Sequence, residues 1–431
     1  MRTPQNDMLR EFFRRLIEIT VCFGAMTAFI ILAVLLTLQS VLSLRGGFQF
    51  LRFLRRSKQR LPGPYHPPAA VIIPCKGLGE DLEQNAVKFL TQVYPQYQVI
   101  FVVASASDSA HGCLARLALQ AEAAGPGTRR KCALAVAGYS DTCGEKVNNL
   151  LAGLKAVDSE AQVLVFADID AQPGDGWLRA LVAPLGDSNT TISTGFRWYL
   201  PGPRFASRLR AAWDGSVATM MGEHTHNFAW GGSMAIRREE FRRLRVAEEY
   251  WQGTVSDDYA ITRAVRDAGG AIRFEPRCLV ASRNELGLRG LLSWANRQII
   301  ITRVYNARYW ALGVASFGLY GVTFVWGIAL IACSASAVHR IAAIAFLAAI
   351  TALGMAKGGL RTVAAKEILP QEKDTWARYG ACYWQLAPLV PWMMLFNFVM
   401  AGFVRRIEWC GTVYELLSLN KLRIIRRSEP L

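Results

Sequence analysis

The chain has 431 residues and a mean hydropathy of +0.19, high for a wholly soluble protein, so one large domain must share it with membrane-embedded segments. Lys and Arg number 49 against 33 Asp and Glu, and the net charge of +16 calls for an anionic partner: nucleic acid, acidic lipid or a phosphorylated substrate. The nine cysteines (Cys22, Cys75, Cys113, Cys132, Cys143, Cys278, Cys333, Cys382, Cys410) contain no C-x-x-C pair, which argues against a disulfide framework or zinc site and for reduced thiols facing a cytosol.

Residues 1–15 form an N-terminal segment, and 16–44 carry no charge after Glu18, long enough for a transmembrane helix, which takes about 20 apolar residues. The run is too long for a signal peptide and ends in the basic linker 45–66, with Arg45, Arg52, Arg55, Arg56, Lys58 and Arg60. That charge bias places the following domain in the cytoplasm, as in a bacterial inner-membrane protein. Residues 67–285 read as an α/β domain, with candidate strands at 70–74, 98–104, 132–137, 163–167, 190–194, 271–274 and 279–281. Runs such as VLVFA, apolar on both faces, predict central strands of a mostly parallel sheet. Residues 286–308 mix aromatic and basic side chains as an interfacial amphipathic helix would, and 309–404 form a C-terminal membrane region. Its apolar runs are 310–333, 338–356 and 382–404; the last holds Pro388 and Pro391 and reads as a re-entrant or interfacial element. Residues 405–431, with Arg405, Arg406, Lys421, Arg423, Arg426 and Arg427, read as a basic cytoplasmic tail. Basic clusters beside apolar runs favour anionic lipid headgroups, and no nucleic-acid reader module is visible.

The strongest chemical signal is FADIDAQP, where Asp168 and Asp170 follow a buried strand. Ligands of open α/β sheets bind beyond the carboxyl ends of strands, and a D-x-D pair there suits Mg²⁺ or Mn²⁺ neutralising a diphosphate. Taken alone, the pair also fits a capped strand-to-helix turn. Asp257 and Asp258 stand before a helix, where they can serve as catalytic carboxylates, Asp258 as base, or simply as its N-terminal cap. Lys146, with Asn148 and Asn149, opens a Gly-led helix and can meet donor phosphates, or be an exposed helix lysine. Asp108 at another strand end can meet a uridine, or hold a turn. Trp230, Gly231 and Gly232 offer an apolar plane and close backbone approach for the acceptor, and equally fit a core strand after a tight turn. His224 and His226 form an H-x-H without a third metal ligand at a recognisable spacing.

In their order these segments resemble family-2 glycosyltransferases, most closely the ceramide glucosyltransferase branch. The resemblance is carried by PCKGLGEDLEQ, EKVNNL, ADIDAQP, VSDDYAITRAVRDAGGAIRF and the W-x-G-x-x-Y of RRIEWCGTVYEL, which includes Trp409. It implies a GT-A fold, inverting transfer of a hexose from a UDP-sugar, and a lipid alcohol such as ceramide or diacylglycerol as acceptor. Asp258 falls on the family's proposed base. Three departures stand out: the first aspartate motif is reduced to Asp108, Asp257 replaces a glutamate, and Q-x-x-R-W is broken because Ile301 stands where arginine is expected. Arg297, Gln298 and Arg303 remain as candidate acceptor-side groups in NRQIIITRVY. The broken signature weighs against a processive polysaccharide synthase; a polyprenyl-phosphate glycosyltransferase is the nearer alternative.

Overall fold

The fold comes from a computed structural model, which describes residues 4–60, 63–79, 81–123, 130–223 and 227–427, with side chains from residue 24 onward except 122, 123 and 130. It opens with one long helix, α1 (Pro4–Gln59), continuous through the stretch expected as a linker. Arg and Lys are good helix formers, and Pro62 is the first proline after Pro4, so the basic run extends the helix instead of ending it.

The α/β domain follows as β1 (Ala69–Pro74), α2 (Leu82–Leu90), β2 (Tyr97–Val103), α3 (Ser109–Ala123), β3 (Arg130–Val136), α4 (Glu145–Lys155), β4 (Val163–Ala167) and α5 (Trp177–Val182). Then come β5 (Thr190–Thr194), β6 (Arg197–Tyr199), α6 (Phe205–Ala218), β7 (Ser233–Arg237), α7 (Arg238–Arg243), α8 (Asp257–Asp267), β8 (Ala271–Phe274) and β9 (Val280–Ser282). Seven strands make one sheet in the order β3-β2-β1-β4-β7-β5-β8, in which only β7 runs against its neighbours. Strands β2 and β4 are buried along their whole length, as the apolar runs predict. Helix α4 lies close on the sheet because Gly153 has no side chain; a Cβ there would stand 2.4 Å from a methyl of Ile72. The crossover order brings the carboxyl ends of β1 and β4 to one rim, where the reversal of strand order opens a cleft. Strands β6 and β9 form a separate parallel pair beside that rim.

The membrane side consists of α9 (Leu288–Tyr305), α10 (Ala307–Cys333), α11 (Ala337–Ile368), α12 (Lys373–Tyr379), α13 (Cys382–Gln385) and α14 (Val390–Phe403). Among the described residues, three helices are long and apolar enough to cross a membrane: Gly24–Gln59 of α1, α10 and α11. The run with Pro388 and Pro391 is broken: α12–α13 and α14 bend by 68° and count as a fourth crossing only if taken as one span. Pro391 sits at the start of α14, where its missing N–H costs nothing. Small residues let these helices touch. A Cβ at Gly313 of α10 would fall 2.1 Å from the Phe398 ring of α14, and one at Gly358 of α11 would fall 2.3 Å from the carbonyl oxygen of Tyr383 in α13.

The expected basic tail is instead an antiparallel sheet of β10 (Arg406–Trp409), β11 (Thr412–Ser418) and β12 (Lys421–Arg426). Alternation hides it in sequence: Ile407, Tyr414, Leu416 and Leu422 point inward while the basic residues between them face out. Substituting Gly358→Ala should lower stability by about 1–3 kcal/mol, because a backbone carbonyl cannot yield as a side chain can. Gly359→Ala, with open space at its Cβ, should leave the melting temperature of the detergent-solubilised protein unchanged or slightly raised.

Candidate active site

Four segments meet at the rim of the large sheet. Asp168 and Asp170 leave the end of β4, Lys146 stands on the first turn of α4, Asp257 heads α8, and Arg197 begins β6. The Lys146 Nζ lies 2.8 Å from Asp168 Oδ1 and 3.1 Å from Asp257 Oδ1. Arg197 donates from Nη2 to Asp168 Oδ2 at 3.1 Å and Asp170 Oδ1 at 2.5 Å, and from Nη1 to Asp170 Oδ2 at 2.6 Å. Its guanidinium lies 5.3 Å from the Trp230 ring centroid.

Glycines make this closeness possible. A Cβ on Gly231 would stand 2.2 Å from Asp257 Oδ2 and 2.8 Å from Lys146 Nζ, and one on Gly232 would stand 2.6 Å from Asp168 Oδ2. Gly144, capping α4, would collide with Val255 Cα at 2.8 Å. The Tyr414 hydroxyl of β11 accepts from the Glu145 N–H at 3.2 Å, so the C-terminal sheet holds the turn that aims Lys146.

Burial works to lower the Lys146 pKa, but Asp168, Asp257 and Asp258 outweigh it and hold the ammonium above its ordinary value. Asp168 is held below the usual carboxylate range, burial being overcome by Lys146 and Arg197. Asp257 goes the other way: burial, opposed by Lys146 and reinforced by Asp258 and Asp168, pushes it up to about 6. Its Oδ2 is buried without a hydrogen-bond partner. Ser256 caps α8, and Asp258 in the first turn accepts at Oδ1 from the Ser256 hydroxyl and the Tyr259 N–H while also lining the cavity.

This cluster forms one end of a cavity of about 1560 Å³ that continues between α1, α10, α11 and α14. Single small-ligand pockets hold roughly 300–1,000 Å³, so there is room here for two substrates. Trp230, Gly231, Arg297, Gln298 and Trp409 line it, with Arg297 stacked 5.4 Å from the Trp409 ring centroid.

The structure does not bring every expected residue to the cavity. Asp108 is buried outside the cavity lining, and its Oδ1 accepts from the Gly77 and Ala110 N–H groups, both at 2.9 Å, so it pins the turn after β1 and caps α3. Arg303 donates to the Ala401 carbonyl at 2.8 Å and lies over Trp310, because Gln298 and Thr302 take the cavity-facing side of α9. Gly232 stands behind Asp168 and not in the cavity wall. Asn148 turns to the carbonyl of Gly138, whereas Asn149 lines the cavity while donating to the Val102 carbonyl at 3.5 Å. His224 and His226 lie outside the described residues. Arg197 carries no signal in the sequence, whereas Tyr414 is the tyrosine of the W-x-G-x-x-Y signature, whose link to the turn before Lys146 only the fold reveals.

Among the described residues no group of three or more His, Cys, Asp or Glu side chains is set to hold a metal ion. Two carboxylates close enough to share one guanidinium nevertheless fit Mg²⁺ or Mn²⁺, which commonly takes one or two carboxylates and completes its shell with phosphate oxygens and water. The two cations, Lys146 and Arg197, face four carboxylates, an excess of negative charge that favours a further cation.

The sequence matches glycosyl transferase family 21 across residues 26–422, nearly the whole chain. The chain belongs to that family. It is a family-2-like group of GT-A glycosyltransferases. Among solved structures, the mannosyltransferase PcManGT from Pyrobaculum calidifontis, in complex with GDP-Man and Mn²⁺, is similar at 15% identity and TM-score 0.46, covering 87% of this chain and 99% of that one. Glucosyl-3-phosphoglycerate synthase from Mycobacterium tuberculosis, with Mn²⁺ and UDP-glucose, is similar at 15% identity and TM-score 0.35, covering 59% and 82%. No curated protein matches the transferase.

Because Asp257 is raised from 3.8 to about 6 on folding, the native state holds an extra proton between those values, and stability falls as pH rises through that window. Asp257→Asn should flatten the dependence of melting temperature on pH between about 4 and 6, a change on the order of 1–3 kcal/mol across the range. An unchanged slope in the variant would contradict the assignment.

Proposed function

We propose that the transferase moves a hexose from a UDP-sugar to the hydroxyl of a membrane lipid, ceramide- or diacylglycerol-like, with inversion at the anomeric carbon. One observation carries this reading: the cavity that holds the carboxylate and lysine cluster is continuous with the space between the membrane helices. An acceptor in the bilayer reaches the donor without leaving lipid.

Asp168 and Asp170 would hold Mg²⁺ or Mn²⁺, whose bound charge stabilises the departing nucleoside diphosphate. Lys146 meets the diphosphate from the head of α4, and its own position is fixed by Asp168 and Asp257. Arg197 holds the two metal-side carboxylates in register through paired hydrogen bonds. On the acceptor side, Trp230, Arg297, Gln298 and Trp409 shape the passage for the lipid headgroup. Asp258 takes the proton of the accepting hydroxyl through Oδ2, since Oδ1 is engaged by Ser256 and Tyr259. The oxygen then attacks the anomeric carbon, the bond to the diphosphate breaks on the opposite face, and a single displacement inverts the centre. The basic ends of α1 and of the C-terminal sheet support a catalytic domain on the cytoplasmic face of a bacterial inner membrane, near anionic headgroups.

Incubating membranes that contain the protein with UDP-sugars should yield new glycolipids by mass spectrometry, and none with any donor would sink the reading. Asp258→Asn should retain donor binding but lose transfer by roughly 10²–10⁴-fold; near-normal turnover would remove Asp258 as base. Asp168→Asn with Asp170→Asn should abolish Mn²⁺ binding measured by calorimetry in the presence of UDP, whatever the activity.

A further inference from the structure

We propose that Lys357 and Arg361 form a subsite for the phosphate of the acceptor lipid, inside the membrane part of the cavity. This rests on the reading of the transferase as an enzyme that glycosylates a lipid hydroxyl, and narrows the diacylglycerol-like acceptors to those whose headgroup carries a phosphate beside the accepting hydroxyl. The two residues stand four apart on α11, which puts them on one face, and both line the cavity. Lys357 Nζ donates to the Ser43 hydroxyl of α1. Arg361 is only 8% exposed, and its Nε has no hydrogen-bond partner.

No carboxylate among the described residues pairs with either cation. The acidic residues nearest in sequence are engaged elsewhere, Glu367 with Arg55 and Glu372 with Arg283. Among the carboxylates along the same cavity, Asp168 and Asp257 hold Lys146, Asp170 holds Arg197, Glu145 pairs with Lys76, and Asp258 and Glu285 accept from Ser256 and Ser207; buried Asp214, whose Oδ2 has no hydrogen-bond partner, forms no ion pair with Lys357 or Arg361. Like charges one helical turn apart repel, and burial strips their hydration. An anion shared between them removes both penalties, and the planar fork of arginine matches a pair of phosphate oxygens.

Depth favours a lipid phosphate. The pair lies roughly 10 and 16 Å along the helix from its end at Ile368, the end beside the basic turns of α1. Charged side chains at such positions face the bundle interior and mark a substrate path. Tyr383 of α13 packs against α11 at Gly358, and its hydroxyl accepts from Trp198, which adjoins Arg197 of the donor site. The phosphate would sit among the helices while the accepting group rises toward Asp258.

The test uses the full-length protein in nanodiscs at fixed UDP-sugar, with diacylglycerol or phosphatidylglycerol as acceptor and phosphatidate, which has the phosphate but no hydroxyl, as a competitor. Phosphatidylglycerol should be used at a lower KM than diacylglycerol, and phosphatidate should inhibit its glycosylation without being glycosylated. Arg361→Gln and Lys357→Gln should raise the KM for phosphatidylglycerol by about tenfold or more while the donor KM stays put, and Lys357→Arg should retain most of the wild-type value. Independently of turnover, native mass spectrometry should find phosphatidylglycerol or phosphatidate retained by the wild type and lost from Arg361→Gln. That arm reports on the subsite even if no lipid is glycosylated. Should Arg361→Gln fail to fold, Arg361→Lys keeps the charge without the fork and should weaken retention. Equal KM values for neutral and phosphate-bearing lipids, or undiminished retention by folded Arg361 and Lys357 variants, would overturn the proposal.

Discussion

A single buried ammonium organises the transferase. Lys146 stays charged in its position because Asp168 and Asp257 both pair with it and outweigh the cost of burial. The three residues come from the head of α4, the end of β4 and the head of α8, so the ion pairs tie together parts of the sheet far apart in sequence. Much of the local chain follows from that constraint. Gly144, Gly231 and Gly232 stand where any side chain would push the charges apart, and Tyr414 reaches in from the C-terminal sheet to cap the helix that carries the lysine.

The same constraint couples the soluble domain to the membrane. Arg197 balances Asp168 and Asp170, and its neighbour Trp198 donates at 2.7 Å to the Tyr383 hydroxyl of α13. Trp213 of α6 stacks edge-on against Trp294 of α9, with ring centroids 4.9 Å apart. The floor of the donor site and the packing of the membrane helices are therefore one body of side chains, and the cavity runs through it without interruption.

What could be read in the sequence was what has a local cause. Strands such as VLVFA are apolar on both faces, and the observed β4 and β5 match the expected bounds because turn residues flank them. The D-x-D pair and Lys146 were legible from their place at strand and helix ends. Arg197 was not, since one arginine on a three-residue strand among many basic residues carries no pattern until the fold brings it beside Asp168. Asp108 and Arg303 were read as ligand-facing because their neighbours invite it, yet a hydrogen bond to Gly77 and the phase of α9 turn them to structural work. The C-terminal sheet escaped notice because its basic outward residues mask a short inward alternation.

The most direct measurement is a cryo-electron microscopy map of the protein in lipid nanodiscs with UDP-sugar and Mn²⁺. The account predicts donor density against Lys146, Asp168 and Asp170, and acyl-chain density entering the same cavity between α1, α10 and α11. Lipid confined to the outer surface of the helices, with the donor cleft sealed from the bilayer, would contradict it.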